Sequence, residues 1–118
     1  KQLVPKLFPT NYGKSRPFDL DKLIHRAARY EAEGIKGGLL AMATRPDQGE
    51  VLKVVKCPVL FIVGGQDEAV PATASLDQLS LPAVASIHIL PDVAHMGMLE
   101  SRRPTQLIVR QFIEFCLK

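Results

Sequence analysis

The feature that most constrains this chain is the run Pro58-Val-Leu-Phe-Ile-Val63, closed by Gly64-Gly65. A continuous β-branched and aromatic run without polar alternation suits a strand covered on both faces, as in a parallel sheet flanked by helices. It is far too short to cross a bilayer. Ser86-Ile-His-Ile-Leu90 is predicted as a second strand, ended by Pro91. A helical stretch from about Ala72 to Ser80 lies between them and breaks at Leu81-Pro82. Pro104 opens a final helix with Leu107, Ile108, Phe112, Ile113 and Cys116 on its buried side. The order strand, helix, strand, helix predicts a right-handed crossover and two adjacent parallel strands.

The first half reads as helices. Leu3, Val4, Leu7 and Phe8 recur at helical spacing until Pro9 and Asn11-Tyr-Gly13 break the pattern. Pro17-Phe-Asp19 starts a helix whose apolar stripe is Leu20, Leu23, Ile24, Ala27 and Ala28. Asp19 is placed to accept from first-turn amides, and Gly34 is expected to end that helix. Another helix, Ile35 to about Thr44, carries Leu39, Leu40 and Met42. It stops at Arg45-Pro46, since proline disfavours helical geometry at the residue before it. Asp47 and Glu50 resemble a capping box for a short helix towards Val55. The expected architecture is α/β: a helical segment over 1–56, then a strand-helix-strand-helix unit over 57–118, forming one compact body.

At 118 residues the chain has room for one domain and hardly two. Apolar residues are 47 % and charged residues 23 %, which excludes a disordered tail, a collagen-like repeat and a disulfide-dense scaffold. Lys1 to Pro5 does not resemble a secretory signal, and a first residue other than Met raises the expectation of a non-native start. The net charge of +3 is uneven: residues 1–56 hold eleven basic and six acidic groups, whereas 57–118 hold four and six. A basic first half either steers an anionic ligand or is a solvated surface. Seven scattered Phe and Tyr do not make the stacking stripe that nucleic acid needs. Cys57 and Cys116 form no CxxC pair and no ligand cluster with the three histidines, so neither metal nor organic cofactor is expected. Buried, reduced thiols in a cytoplasmic protein without a membrane partner are the expected reading.

Ligands of open α/β sheets collect beyond the carboxyl ends of the strands. Two loops lie at that edge: Gly64–Pro71, with Asp67 and Glu68, and Pro91–Ser101, with Asp92, His95 and Glu100. If the strands are adjacent, Asp67 and His95 emerge side by side. A carboxylate on one imidazole nitrogen fixes the tautomer and leaves the other nitrogen free as a base. On position alone, a loop Asp and a loop His are more often ordinary surface residues. His25 lies among Lys22, Arg26 and Arg29 with no acid to orient it, and His88 sits within a strand, where a satisfied histidine on a sheet face is expected.

Pro58-Val-Leu-Phe-Ile-Val-Gly64-Gly-Gln-Asp67-Glu-Ala-Val-Pro71 resembles the penultimate strand and acid loop of α/β-hydrolase-fold enzymes. Ala94-His95-Met-Gly-Met-Leu-Glu100, whose histidine falls 28 positions after Asp67, resembles the histidine loop of that family. The acid-before-histidine order agrees with it. The upstream helices resemble its cap, with Met42-Ala-Thr-Arg-Pro-Asp47 leading out. The resemblance implies Asp67 as triad acid, His95 as general base, and Met96 and Met98 bordering the substrate pocket, where flexible core filling is the alternative. It gives Glu68 no part and has Glu100 support the loop or the last helix. Two positions depart from the pattern. Ala94 stands where glycine is common, and Pro104 comes later than usual, which puts the start of the last helix in doubt.

A third departure concerns the nucleophile. The five serines, Ser15, Ser75, Ser80, Ser86 and Ser101, all lie outside any Gly-x-Ser-x-Gly elbow, and no His-Gly loop offers oxyanion amides. The resemblance therefore implies the C-terminal portion of a serine hydrolase acting on an ester, lactone or similar acyl bond, inactive alone. A non-catalytic association module and one chain of a two-chain hydrolase are the competing readings. An open, apolar strand edge invites pairing. A homodimer or swapped oligomer through Val59–Val63 and the cap helices is expected.

Overall fold

The computed structural model describes residues 3–118; Lys1 and Gln2, at the head of the expected helical segment, lie outside the described residues. β1 (Val59–Gly64) and β2 (Ala85–Leu90) form a two-stranded parallel sheet in which Val59 pairs with Ala85 and Gly64 with Leu90. The connection between them holds α5 (Ala72–Leu76), and β2 leads to α6 (Gly97–Glu100) and α7 (Arg102–Cys116). Both α5 and α7 pack on β1. The chain is thus of mixed α/β class, with the strand order read from the sequence.

Upstream, a tight 3-10 turn at Val4–Leu7 precedes α1 (Tyr12–Ser15) and α2 (Pro17–Ala27). Phe8 and Tyr12 are buried and stack with ring centroids 4.3 Å apart, so the expected break at Asn11–Gly13 is a short helix. Asp19 makes no capping bond: the helix opens at Pro17, and Asp19 lies 4.0 Å from Arg16 instead. Gly34 does not end α2. The chain turns after Ala27 on short-range backbone bonds, and α3 (Ala32–Thr44) starts from extended Glu31. In α4 (Gly49–Val54), Asp47 does accept from the Gly49 amide at 3.0 Å, but Glu50 pairs with Lys53 at 2.6 Å rather than closing a capping box.

Three further expectations change for reasons of cover. Only Val63 of β1 is buried, because α5 is short and α7 covers part of the sheet. On α7, Ile108 is buried whereas Leu107 and Ile113 are exposed. Cys57 and Cys116 are both exposed, the first in the turn before β1 and the second in the last turn of α7. Pro104 sits within the first turn of α7, where a missing amide hydrogen leaves no helical bond unmade, so the helix can begin ahead of it.

Buried apolar residues gather around the two loops beyond the strands. Val63 comes from β1 next to its last residue, Val93 and Ala94 precede His95, Ile108 comes from α7, and Phe8 and Tyr12 from the N-terminal segment. No helix among the described residues is long and apolar enough to cross a membrane.

Candidate active site

Two glycines bring the loops together. A Cβ on Gly64 would collide with the backbone of Val93 and Ala94, and one on Gly65 would come within 2.8 Å of the Pro91 backbone. The acid loop therefore lies directly against the histidine loop, and backbone bonds join them. The Gly65 amide donates to the Leu90 carbonyl at 2.8 Å and the Gln66 amide to that of Val93 at 2.9 Å.

Asp67 and His95 meet across this seam, with Asp67 Oδ2 2.9 Å from His95 Nδ1. The other carboxylate oxygen accepts the amides of Ala69 and Val70, each at 2.9 Å, in a turn that fixes the side chain. The Asp67 side chain is only 10 % exposed, whereas that of His95 is 38 % exposed. Burial pushes the Asp67 carboxyl upward, but the Val70 amide, His95 and the Ala69 amide together hold it below its ordinary range. An ionised, fixed carboxylate selects the imidazole tautomer that carries its proton on Nδ1 and leaves Nε2 as an acceptor.

The histidine backbone is anchored at three successive amides. Those of Ala94 and Met96 donate to the two oxygens of Glu100, at 2.8 and 2.9 Å, and that of His95 donates to the Leu7 carbonyl at 3.1 Å. α6 is the one-turn helix that carries Glu100 back to this loop, and Thr105 Oγ1 donates to the Gly97 carbonyl at 3.1 Å. Glu100 supports the loop, and its spacing from the histidine was the available signal. The Leu7 contact had no local signal, since it joins residues distant in the chain.

The remaining candidates lie elsewhere or play local parts. Met96 is half-buried beside the histidine. Met98 lines an apolar groove of about 610 Å3 along α7 with Thr105, Val109 and Ile113, and neither Asp67 nor His95 borders that groove. His88 is half-buried and lines a cavity of about 330 Å3 together with Phe112 and Phe115. His25 is exposed on α2. Among the described residues, no cluster of His, Cys, Asp and Glu is arranged to hold a metal ion.

No family model matches the chain, and no curated protein matches it. Among solved structures, it is similar to a thermophilic esterase from Thermogutta terrifontis in a malate-bound form, with a TM-score of 0.89 and 22 % identity. That likeness covers 98 % of this chain and 42 % of the esterase, so the chain spans less than half the length of its structural neighbour. The fold is therefore like that of part of an esterase.

Proposed function

We propose that this chain is the acid-and-histidine portion of an α/β-hydrolase-fold serine hydrolase that cleaves an ester, lactone or similar acyl bond. The 2.9 Å contact between Asp67 and His95, made by two loops at the carboxyl ends of adjacent parallel strands, carries this reading. Asp67 accepts a hydrogen bond from His95 Nδ1–H and stabilises the imidazolium that forms. His95 Nε2 accepts the proton of a serine hydroxyl and returns it to the leaving group. The attacking serine and the oxyanion amides come from outside these 118 residues, either from the same polypeptide or from a partner chain. Met96 and Met98 would border the acyl pocket once that other portion is in place. The two unpaired thiols are compatible with a reducing, cytoplasmic setting.

The purified chain should turn over no activated ester and take no label from a serine-directed fluorophosphonate. Robust labelling of any of its serines would overturn the claim that the nucleophile lies elsewhere. Joined to a segment bearing a Gly-x-Ser-x-Gly elbow, the assembly should hydrolyse p-nitrophenyl acetate. Asp67→Asn should then lower kcat by about four orders of magnitude, the scale known for loss of a triad acid. Unchanged turnover in Asp67→Asn or His95→Ala would refute the assignment.

The exposed apolar residues of α3 favour a second reading, a non-catalytic association module in which a second copy covers α3 and the free edge of β1. Sustained failure of serine-bearing segments to restore turnover, together with a stable dimer, would favour that reading.

A further inference from the structure

A cleft of about 710 Å3 opens between α2 and the start of α7, and its charge is one-sided. Lys22 and Arg26 line it from α2, beside the Arg16–Asp19 pair, and Arg102 and Arg103 line it from α7. Five cations thus share the cleft with two carboxylates, and both carboxylates are engaged. Asp19 lies 4.0 Å from Arg16, while Glu100 turns both oxygens to the amides of Ala94 and Met96. Lys22, Arg26, Arg102 and Arg103 have no acidic partner within ion-pair distance among the described residues.

Like charges lining a concave surface focus the field and raise the local concentration of counter-ions. Guanidinium forks match the geometry of phosphate and carboxylate groups. The volume falls within the range of small-molecule sites, and Leu23, Leu99 and Pro104 add an apolar wall. A concave site of this size fits a compact ligand better than a flat membrane or a nucleic-acid duplex. We propose that this cleft binds a small multivalent anion, of the phosphorylated or polycarboxylate class, through Lys22, Arg26, Arg102 and Arg103. Neither Asp67 nor His95 lines it, so the inference stands independently of the hydrolase reading.

Calorimetric titration of the full chain with inorganic tripolyphosphate and, separately, with citrate tests this and separates the two anion classes. Saturable binding at one site is expected for at least one probe, weakening as salt rises from about 50 to about 200 mM. The double substitutions Lys22→Gln/Arg26→Gln and Arg102→Gln/Arg103→Gln should each weaken it by about tenfold or more. Lys53→Gln/Arg110→Gln removes the same charge from pairs with Glu50 and Glu114, and should leave affinity unchanged. Amide shifts induced by the bound probe in the unsubstituted chain should concentrate in α2 and the start of α7, a readout independent of how any variant folds. Absence of saturable binding, equal losses in the control pair, or shifts spread over the whole surface would overturn the proposal. So would tight binding of duplex DNA or anionic vesicles that neither probe displaces.

Discussion

Asp67 divides its carboxylate between a turn and a histidine, and both tasks depend on its charge. Its folded pKa lies below the ordinary value of 3.8, so its stabilising contribution is complete above the ordinary carboxylate range and is lost as pH falls through the depressed value. Asp67→Asn should therefore cost about 1 kcal/mol in urea unfolding at neutral pH, a modest figure because His95 is partly solvated. The difference from the unsubstituted chain should shrink between neutral and acid pH, as pH falls through the depressed value and the carboxylate takes up its proton in the folded state. An equal deficit at both pH values would show that shape rather than charge matters there. Glu100 gives a second test. Glu100→Ala leaves the Ala94 and Met96 amides without their acceptor, at an expected cost of about 2–4 kcal/mol, and hydrogen exchange at those two amides should accelerate. Glu100→Gln, which keeps one acceptor oxygen, should lose about half as much.

The elements differ in how firmly the chain holds them. β1 ends on Gly64 because the next loop passes too close for a side chain, and the neighbouring atoms are backbone that cannot swing aside. Gly64→Ala should destabilise by about 3 kcal/mol or prevent folding. α3 is the opposite case. It contains Gly34, Gly37 and Gly38, has no capping bond and makes no extensive contact with another element. A helix of 13 residues without packing is marginal in water. A Cβ added at Gly37 would meet nothing within 4 Å outside its own helix backbone, so Gly37→Ala should raise helix stability by about 1 kcal/mol. Exchange protection should be lowest in α3 and highest in β1; equal protection would show that α3 is covered in solution. The sequence revealed β1, β2 and α7 because each carries a strong local pattern. The turn after Ala27, α6 and the first turn of α7 were not legible, since contacts outside each segment or single backbone bonds decide them.

At the scale of the molecule, too much surface remains open. The chain exposes 9136 Å2, against about 6,300 Å2 expected for a compact monomer of this mass. Its radius of gyration is 16.3 Å, against about 13.5 Å for a compact domain of this length. The open area includes Leu40 at 63 % exposure on α3 and Ile89 at 52 % on the sheet. The excess is larger than the roughly 800 Å2 per partner of a standard interface. The isolated chain should therefore run as a dimer in light scattering, and Ile35→Lys/Leu40→Lys should shift it towards monomer. A monodisperse monomer before substitution would count against association through these faces.

Sequence by itself determined the α/β class, the adjacency of the strands and the two loops that bear Asp67 and His95. Those features follow from local hydrophobic pattern and from chain connectivity, which act over a few neighbouring residues or a single crossover. Only the tertiary structure decided that the two side chains meet at 2.9 Å, that Leu7 and Glu100 anchor the histidine backbone, and that four cations without an acidic partner among the described residues converge on one cleft. Each of these joins segments with no shared periodicity, and only the folded backbone sets the distances between them.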